Sequence, residues 1–138
     1  MYRSGADVIY HAAGASGLGL LETVVAESRA QGRHLWAVGV DIDEYTNETD
    51  PLWEFGPEDW RPHILTSMIK RMDVAVYRTI QDFTQGTFAS GEQVLGLAED
   101  GVDYATSGGF VDDIAPELER LKRDIIDGRI QVPTVPAS

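Results

Sequence analysis

Apolar positions along this chain alternate between two spacings, and the alternation predicts an α/β fold. Val8 to Ala13 is a short apolar run ending in small residues, followed by Gly14-Ala15-Ser16-Gly17-Leu18-Gly19. From Leu18 the period lengthens. Leu18, Leu21, Val25 and Ser28 fall at i, i+3, i+7 and i+10, with Glu22, Glu27 and Arg29 on the opposite face and Gly32 as the stop. Leu35 to Val40 is apolar on both faces, as in a strand covered on both sides. Strand, glycine turn, helix and strand predict one βαβ unit with parallel strands and a right-handed crossover. Ile64 to Ser67 reads as a short extended piece. Ile69, Met72, Val76, Ile80 and Phe83 then recur at helical spacing, predicting an amphipathic helix that ends at Gly86. Val94 to Leu97 predicts a strand, Asp100-Gly101 a turn, and Val102 to Ala105 a second short run. Pro116 suits the first turn of a last helix, with Leu118, Leu121 and Ile125 along one face and Gly128 at its end. Ile130 to Val135 is a final extended segment.

Composition narrows the function classes. The 138 residues amount to one domain's length. With 43% hydrophobic and 25% charged residues, the chain is not of the disordered class. Eleven basic against 23 acidic residues give a net charge of −12, a field that repels phosphate backbones and anionic lipid. Nucleic acid is therefore not an expected partner. Cysteine is absent, which excludes disulfides, thiolate catalysis and cysteine-ligated metal. No apolar run is long enough to span a membrane, and the first residues, Met-Tyr-Arg-Ser-Gly-Ala-Asp, lack the pattern of an export signal. The stretch from Asp41 to Pro62 holds eight acids against one base, Arg61, yet carries Trp53, Phe55 and Trp60. It reads as an ordered surface loop with aromatic anchors.

Candidate chemistry gathers where strands would end. The Gly14–Gly19 turn would let backbone N–H groups approach a ligand at the positive end of a helix, at the carboxyl edge of the sheet. Its spacing, G-x-x-G-x-G, is not the dinucleotide fingerprint, and no Gly-Lys-Ser/Thr follows. A tight turn with close helix packing is an equal alternative. Asp41 ends the second strand at the same edge and could accept hydrogen bonds from the two hydroxyls of a ribose, or cap the next turn. Asp43 belongs to the same pair, but a calcium loop is excluded because its sixth and twelfth positions are Thr46 and Leu52. Lys70 falls near a helix opening, where a cation opposes the dipole unless a ligand or an aspartate faces it. Tyr10 and His11 end the first strand; Tyr10 could stack on a flat ring, and His11 is more often a packing residue than a catalyst. Asn47-Glu48-Thr49 matches a glycosylation triplet. His34 and His63 lie near strand starts, away from the expected site. No nucleophile–base pair stands out, so binding is favoured over covalent catalysis.

Ala6 to Gly19 (ADVIYHAAGASGLG) resembles the motif opening the C-terminal part of the basic membrane protein family, substrate-binding lipoproteins of ABC transporters of the purine-nucleoside receptor type. Gly39-Val40-Asp41-Ile42-Asp43, Leu65 to Ala75 (LTSMIKRMDVA), Leu95-Gly96-Leu97 with Gly101-Val102, and Asp124 to Pro133 (DIIDGRIQVP) look like its later blocks in order. Ala15 stands where the family commonly has a second glycine, and the acidic stretch is longer than usual. The resemblance implies a periplasmic-binding-protein fold of type I: flavodoxin-like lobes, each a parallel sheet with flanking helices, closing on ligand between them. It covers only the C-terminal part of a family member, so a fragment lacking the signal peptide and the lipid-bearing cysteine is expected. Residues 1–41 would belong to the second lobe, residues from about 64 to 95 to the first, and the rest to crossings or the second lobe.

By this resemblance Asp41 and Lys70 bind a ribose, while Tyr10, His11 and Gly14 face the cleft. The implied protein is a non-enzymatic solute-binding component that delivers a nucleoside to an ABC permease. It needs no cofactor or metal, and sits at the cell surface or in a periplasm on a lipid anchor absent from this chain. Two other readings stay open from the residues alone: a fragment of a nucleotide-binding, Rossmann-like oxidoreductase, and a standalone flavodoxin-like regulatory domain.

Overall fold

The computed structural model describes residues 1–46, 58–133 and 135. The Asn47 triplet, Trp53 and Phe55 lie outside them. Strands β1 (Val8–Tyr10), β2 (Trp36–Asp41), β3 (Ile64–Lys70) and β4 (Val102–Tyr104) form one sheet in the order β1-β2-β3-β4. The helices are α1 (Leu18–Gln31), α2 (Met72–Gln85) and α3 (Ala115–Ile126). The chain divides into two compact units. A sheet unit comprises Met1–Lys70 with Tyr104–Val111, and a helical unit comprises Arg71–Asp103 with Asp112–Ser138.

In the sheet unit, β2 pairs in parallel with β1, Ile9 opposite Ala37, and with β3, Val40 opposite Met68 and Asp41 opposite Ile69. α1 turns Leu21, Val24 and Val25 onto Leu35, Ala37 and Ile64, and Tyr2 and Trp60 close the ends of this core. Glu27 departs from the expected solvent face. It is buried, because the N-terminal turn at Tyr2–Ser4 folds over α1 and brings Arg3 within 2.7 Å of its carboxylate. Hydrogen bonding from Arg3, then from Gln31, holds the Glu27 carboxyl below its ordinary range. The Tyr2 hydroxyl donates to the Trp36 carbonyl at 2.7 Å, and burial pushes its pKa up to about 12, so it remains a donor.

The boundaries of three elements differ from the expectation. β1 ends at Tyr10 rather than running to Ala13. The residues 68–70 expected to open a helix complete β3, because their backbone pairs with β2 through Ile69, and α2 starts only at Met72. Residues 94–97 form no strand; there Glu99 folds back to accept from the Gly96 N–H and the chain turns.

The helical unit is built differently. Among the described residues, none of its apolar side chains is buried. Met72, Val76, Ile80 and Phe83, at helical spacing on α2, are each more than half exposed. Ion pairs tie α3: Asp124 takes Arg120 at 2.5 Å and Arg129 at 2.6 Å, and Lys122 lies 3.3 Å from Asp103.

Two substitutions test this account of the core. Leu21, fully buried, should cost about 2–5 kcal/mol when replaced by alanine, whereas Phe83→Ala should cost within about 0.5 kcal/mol. Equal midpoint shifts for the two in urea denaturation would contradict it.

Candidate functional site

Three parallel strands deliver their carboxyl ends to one edge of the sheet unit, and the candidate residues arrive with them. Tyr10 is the last residue of β1, Asp41 of β2 and Lys70 of β3. Lys70 Nζ lies 2.6 Å from Asp41 Oδ1, and both side chains remain about half exposed. Hydrogen bonding to Asp41 and then its negative charge hold the Lys70 ammonium above its ordinary range, with Tyr10 adding in the same direction. The pair explains how a lysine is tolerated here, though at a strand end rather than at the helix opening first expected.

Asp41 is held in an unusual backbone state. Its φ is +75°, one of two non-glycine residues with positive φ among those described. The Ile42 N–H donates to the Val40 carbonyl at 2.9 Å, closing a three-residue γ-turn centred on Asp41. The positive-φ form of this turn is rare and strained, and such strain gathers where a side chain must be aimed. Asp43, by contrast, is consumed locally. It accepts from the Tyr45 N–H at 3.1 Å, the Thr46 hydroxyl at 2.8 Å and the Ser107 hydroxyl at 3.0 Å.

Gly14 opens a 3₁₀ turn, Gly14–Gly17, that leads directly into α1. Its φ is +51°, and a Cβ there would meet nothing within 4 Å, so the constraint is backbone conformation rather than space. No side chain caps the amino end of α1, and its first turn holds no acid. Tyr10 is half exposed.

His11 stands apart from the other four. The resemblance has it facing ligand, and in this chain its ring is buried. It rests on Gly17, where a Cβ would stand 2.0 Å from its Cε1. Its Nε2 lies 3.1 Å from Glu44 Oε1, close enough for charge contact but not aligned as a hydrogen bond, and Nδ1 has no partner among the described residues. Sequence reasoning missed Glu44 and Ser67. Glu44 looked like one more acid in an acidic stretch; the missed signal was Gly39, the one glycine inside an otherwise bulky strand. A Cβ at Gly39 would lie 2.6 Å from both the Glu44 carboxyl and Ser67 Oγ. Burial holds the Glu44 carboxyl above its ordinary range, against the pull of His11 and of the Val40 N–H.

Among the described residues no cluster could hold a metal ion, and no helix is long and apolar enough to cross a membrane. A hollow of about 360 Å³ along α1, lined by Tyr2, Ile9, Leu20 and Glu27 among others, includes none of the candidate residues.

Residues 1–135 match the family described as ABC transporter substrate-binding protein PnrA-like, named Bmp. The chain belongs to this family. A Bmp-family relative in Listeria monocytogenes, "CD4+ T-cell-stimulating antigen", is 34% identical over 99% of this chain but only 38% of its own length. "ABC transporter nucleoside-binding protein BmpA" of Lactococcus lactis is 32% identical over 97% of this chain and 38% of its own. A crystal structure of an ABC transporter solute-binding protein from Aeropyrum pernix superposes with a TM-score of 0.66 at 25% identity, over 99% of this chain and 43% of that one. The chain thus has the fold of solute-binding proteins and spans less than half the length of these Bmp-family relatives and neighbours.

Glu44 also makes a pH prediction. A carboxyl whose pKa is higher folded than unfolded binds its proton more tightly in the native state. Its contribution to stability is then complete below the ordinary value of 4.5 and lost as pH rises through the raised one, by about 1.4 kcal/mol per unit of separation. Urea titrations from acid to neutral pH should show this decline in the native sequence and a flatter profile in Glu44→Gln; parallel profiles would contradict it.

Proposed function

We propose that this protein is part of a solute-binding component of an ABC transporter, taking a purine nucleoside or a similar ribose-containing ligand at the strand ends of the sheet unit. Asp41 accepts hydrogen bonds from the ribose hydroxyls and Lys70 donates to the same sugar. The Gly14 turn offers backbone N–H groups, and Tyr10 stacks on the base. The observation that carries the reading is the half-exposed Asp41–Lys70 pair built on a strained turn. A half-exposed carboxylate and ammonium 2.6 Å apart suit a neutral polyol, to which they present acceptor and donor together. A nucleotide suits the site less, since its phosphates would meet Asp41 and a chain of net charge −12. Family membership and the Lactococcus relative's name support a nucleoside.

The role is binding rather than catalysis. In this reading residues 1–41 belong to the second lobe, residues from about 64 to 95 to the first, and the rest to crossings or the second lobe. Polypeptide from the rest of the protein would cover the apolar stripe of α2. The partner is a permease, and the protein works outside the cytoplasm, at the cell surface or in a periplasm. Its lipid anchor would come from outside these cysteine-free residues.

Calorimetric titration of inosine, guanosine and adenosine into the protein tests this. At least one should bind, and Asp41→Ala should weaken it roughly tenfold to a hundredfold, the effect of losing charge-assisted hydrogen bonds. Equal affinity in the parent and Asp41→Ala would overturn the assignment.

A further inference from the structure

Next to the Asp41 turn lies a polar cluster of His11, Glu44 and Ser67. Ser67, in β3, is fully buried; His11 and Glu44 are nearly so. Glu44 is connected on three sides. Its N–H donates to Ser67 Oγ at 3.1 Å, its Oε1 accepts from the Val40 N–H at 3.4 Å, and the same oxygen lies 3.1 Å from His11 Nε2. Two glycines make the room: Gly17 admits the imidazole and Gly39 admits the carboxyl and the serine hydroxyl.

The positions of these contacts matter. Val40 immediately precedes Asp41, and its carbonyl already accepts the Ile42 N–H that closes the γ-turn. Glu44 therefore grips the residue before Asp41 from a point three residues after it, while its own amide is fixed to β3. The strained conformation of Asp41 is closed into a short loop tied to β2 through Val40 and to β3 through Ser67, with His11, the residue after β1, in charge contact. Sequestering a carboxylate is unfavourable unless it is paired and hydrogen-bonded, which the Val40 N–H and the His11 ring supply in part.

We propose that Glu44, seated by His11 and Ser67, is a positioning residue that keeps Asp41 in its left-handed conformation and aims its carboxylate at Lys70 and at ligand. Only the ligand clause rests on the nucleoside reading.

Nuclear magnetic resonance on the full chain, with inosine as the probe ligand, separates the two. A residue with positive φ gives a strong intraresidue amide–Hα Overhauser signal. Asp41 should show it in the parent and in Glu44→Gln, which keeps an oxygen acceptor for Val40, and lose it in Glu44→Ala. Inosine affinity should fall tenfold or more in Glu44→Ala and return to within about threefold of the parent in Glu44→Gln. An unchanged Asp41 signal in Glu44→Ala overturns the proposal, whether or not inosine binds. Failure of the parent to bind inosine, with the signal lost as expected, overturns the nucleoside reading alone. If Glu44→Ala does not fold, amide exchange decides. The Glu44 amide should exchange slowly in the parent and quickly in Ser67→Ala; fast exchange in the parent overturns the proposal.

Discussion

Parallel pairing of β2 with a strand on each side is the constraint from which the rest of the sheet unit follows. Parallel strands end together, so β1, β2 and β3 bring Tyr10, Asp41 and Lys70 to one edge although 60 residues separate the first from the last. The pairing is stable only while one face is covered, and α1 covers it with Leu21, Val24 and Val25 over Leu35, Ala37 and Ile64. The register matters as much as the order. Asp41 stands opposite Ile69, so the next residue, Lys70, reaches its carboxylate across a single strand spacing.

Two kinds of energetics meet at that edge. The core is held by burial, which tolerates similar shapes. The edge also carries sequestered polar groups, which tolerate less, because each donor or acceptor left without a partner is costly. His11, Glu44 and Ser67 occupy space left by Gly17 and Gly39, next to a backbone turn that non-glycine residues seldom adopt.

The helical unit shows the opposite balance. Its helices are well formed, with left-handed glycines at positions 86 and 128 where the chain turns away, and ion pairs run within α3, to Arg129 just after it and to Asp103. Yet it buries no apolar side chain among the described residues, and α2 presents a regular apolar stripe to solvent. Amphipathic periodicity thus specified the helix without supplying anything to pack against it within these residues.

Much of this was legible in the residues alone. Periodicity located all three helices and β2, since a 3.6-residue repeat and a glycine stop are local properties. The ordered blocks around Gly14, Asp41 and Lys70 indicated the family and the edge at which the candidate residues meet. What local pattern could not determine was which partner each segment would find. Residues 68–70 carry a helical apolar repeat but are drawn into β3 by pairing with β2. Glu27 looks solvent-facing until the N-terminal turn covers it. His11 and Glu44 read as a possible ligand contact and a surface acid, and only the folded sheet joins them beneath Asp41. The reason is that periodicity reports what one element does along its own axis, whereas the surroundings of Asp41 bring together residues distant in sequence: Val40 of β2, Ser67 of β3, His11 after β1 and Glu44 after β2.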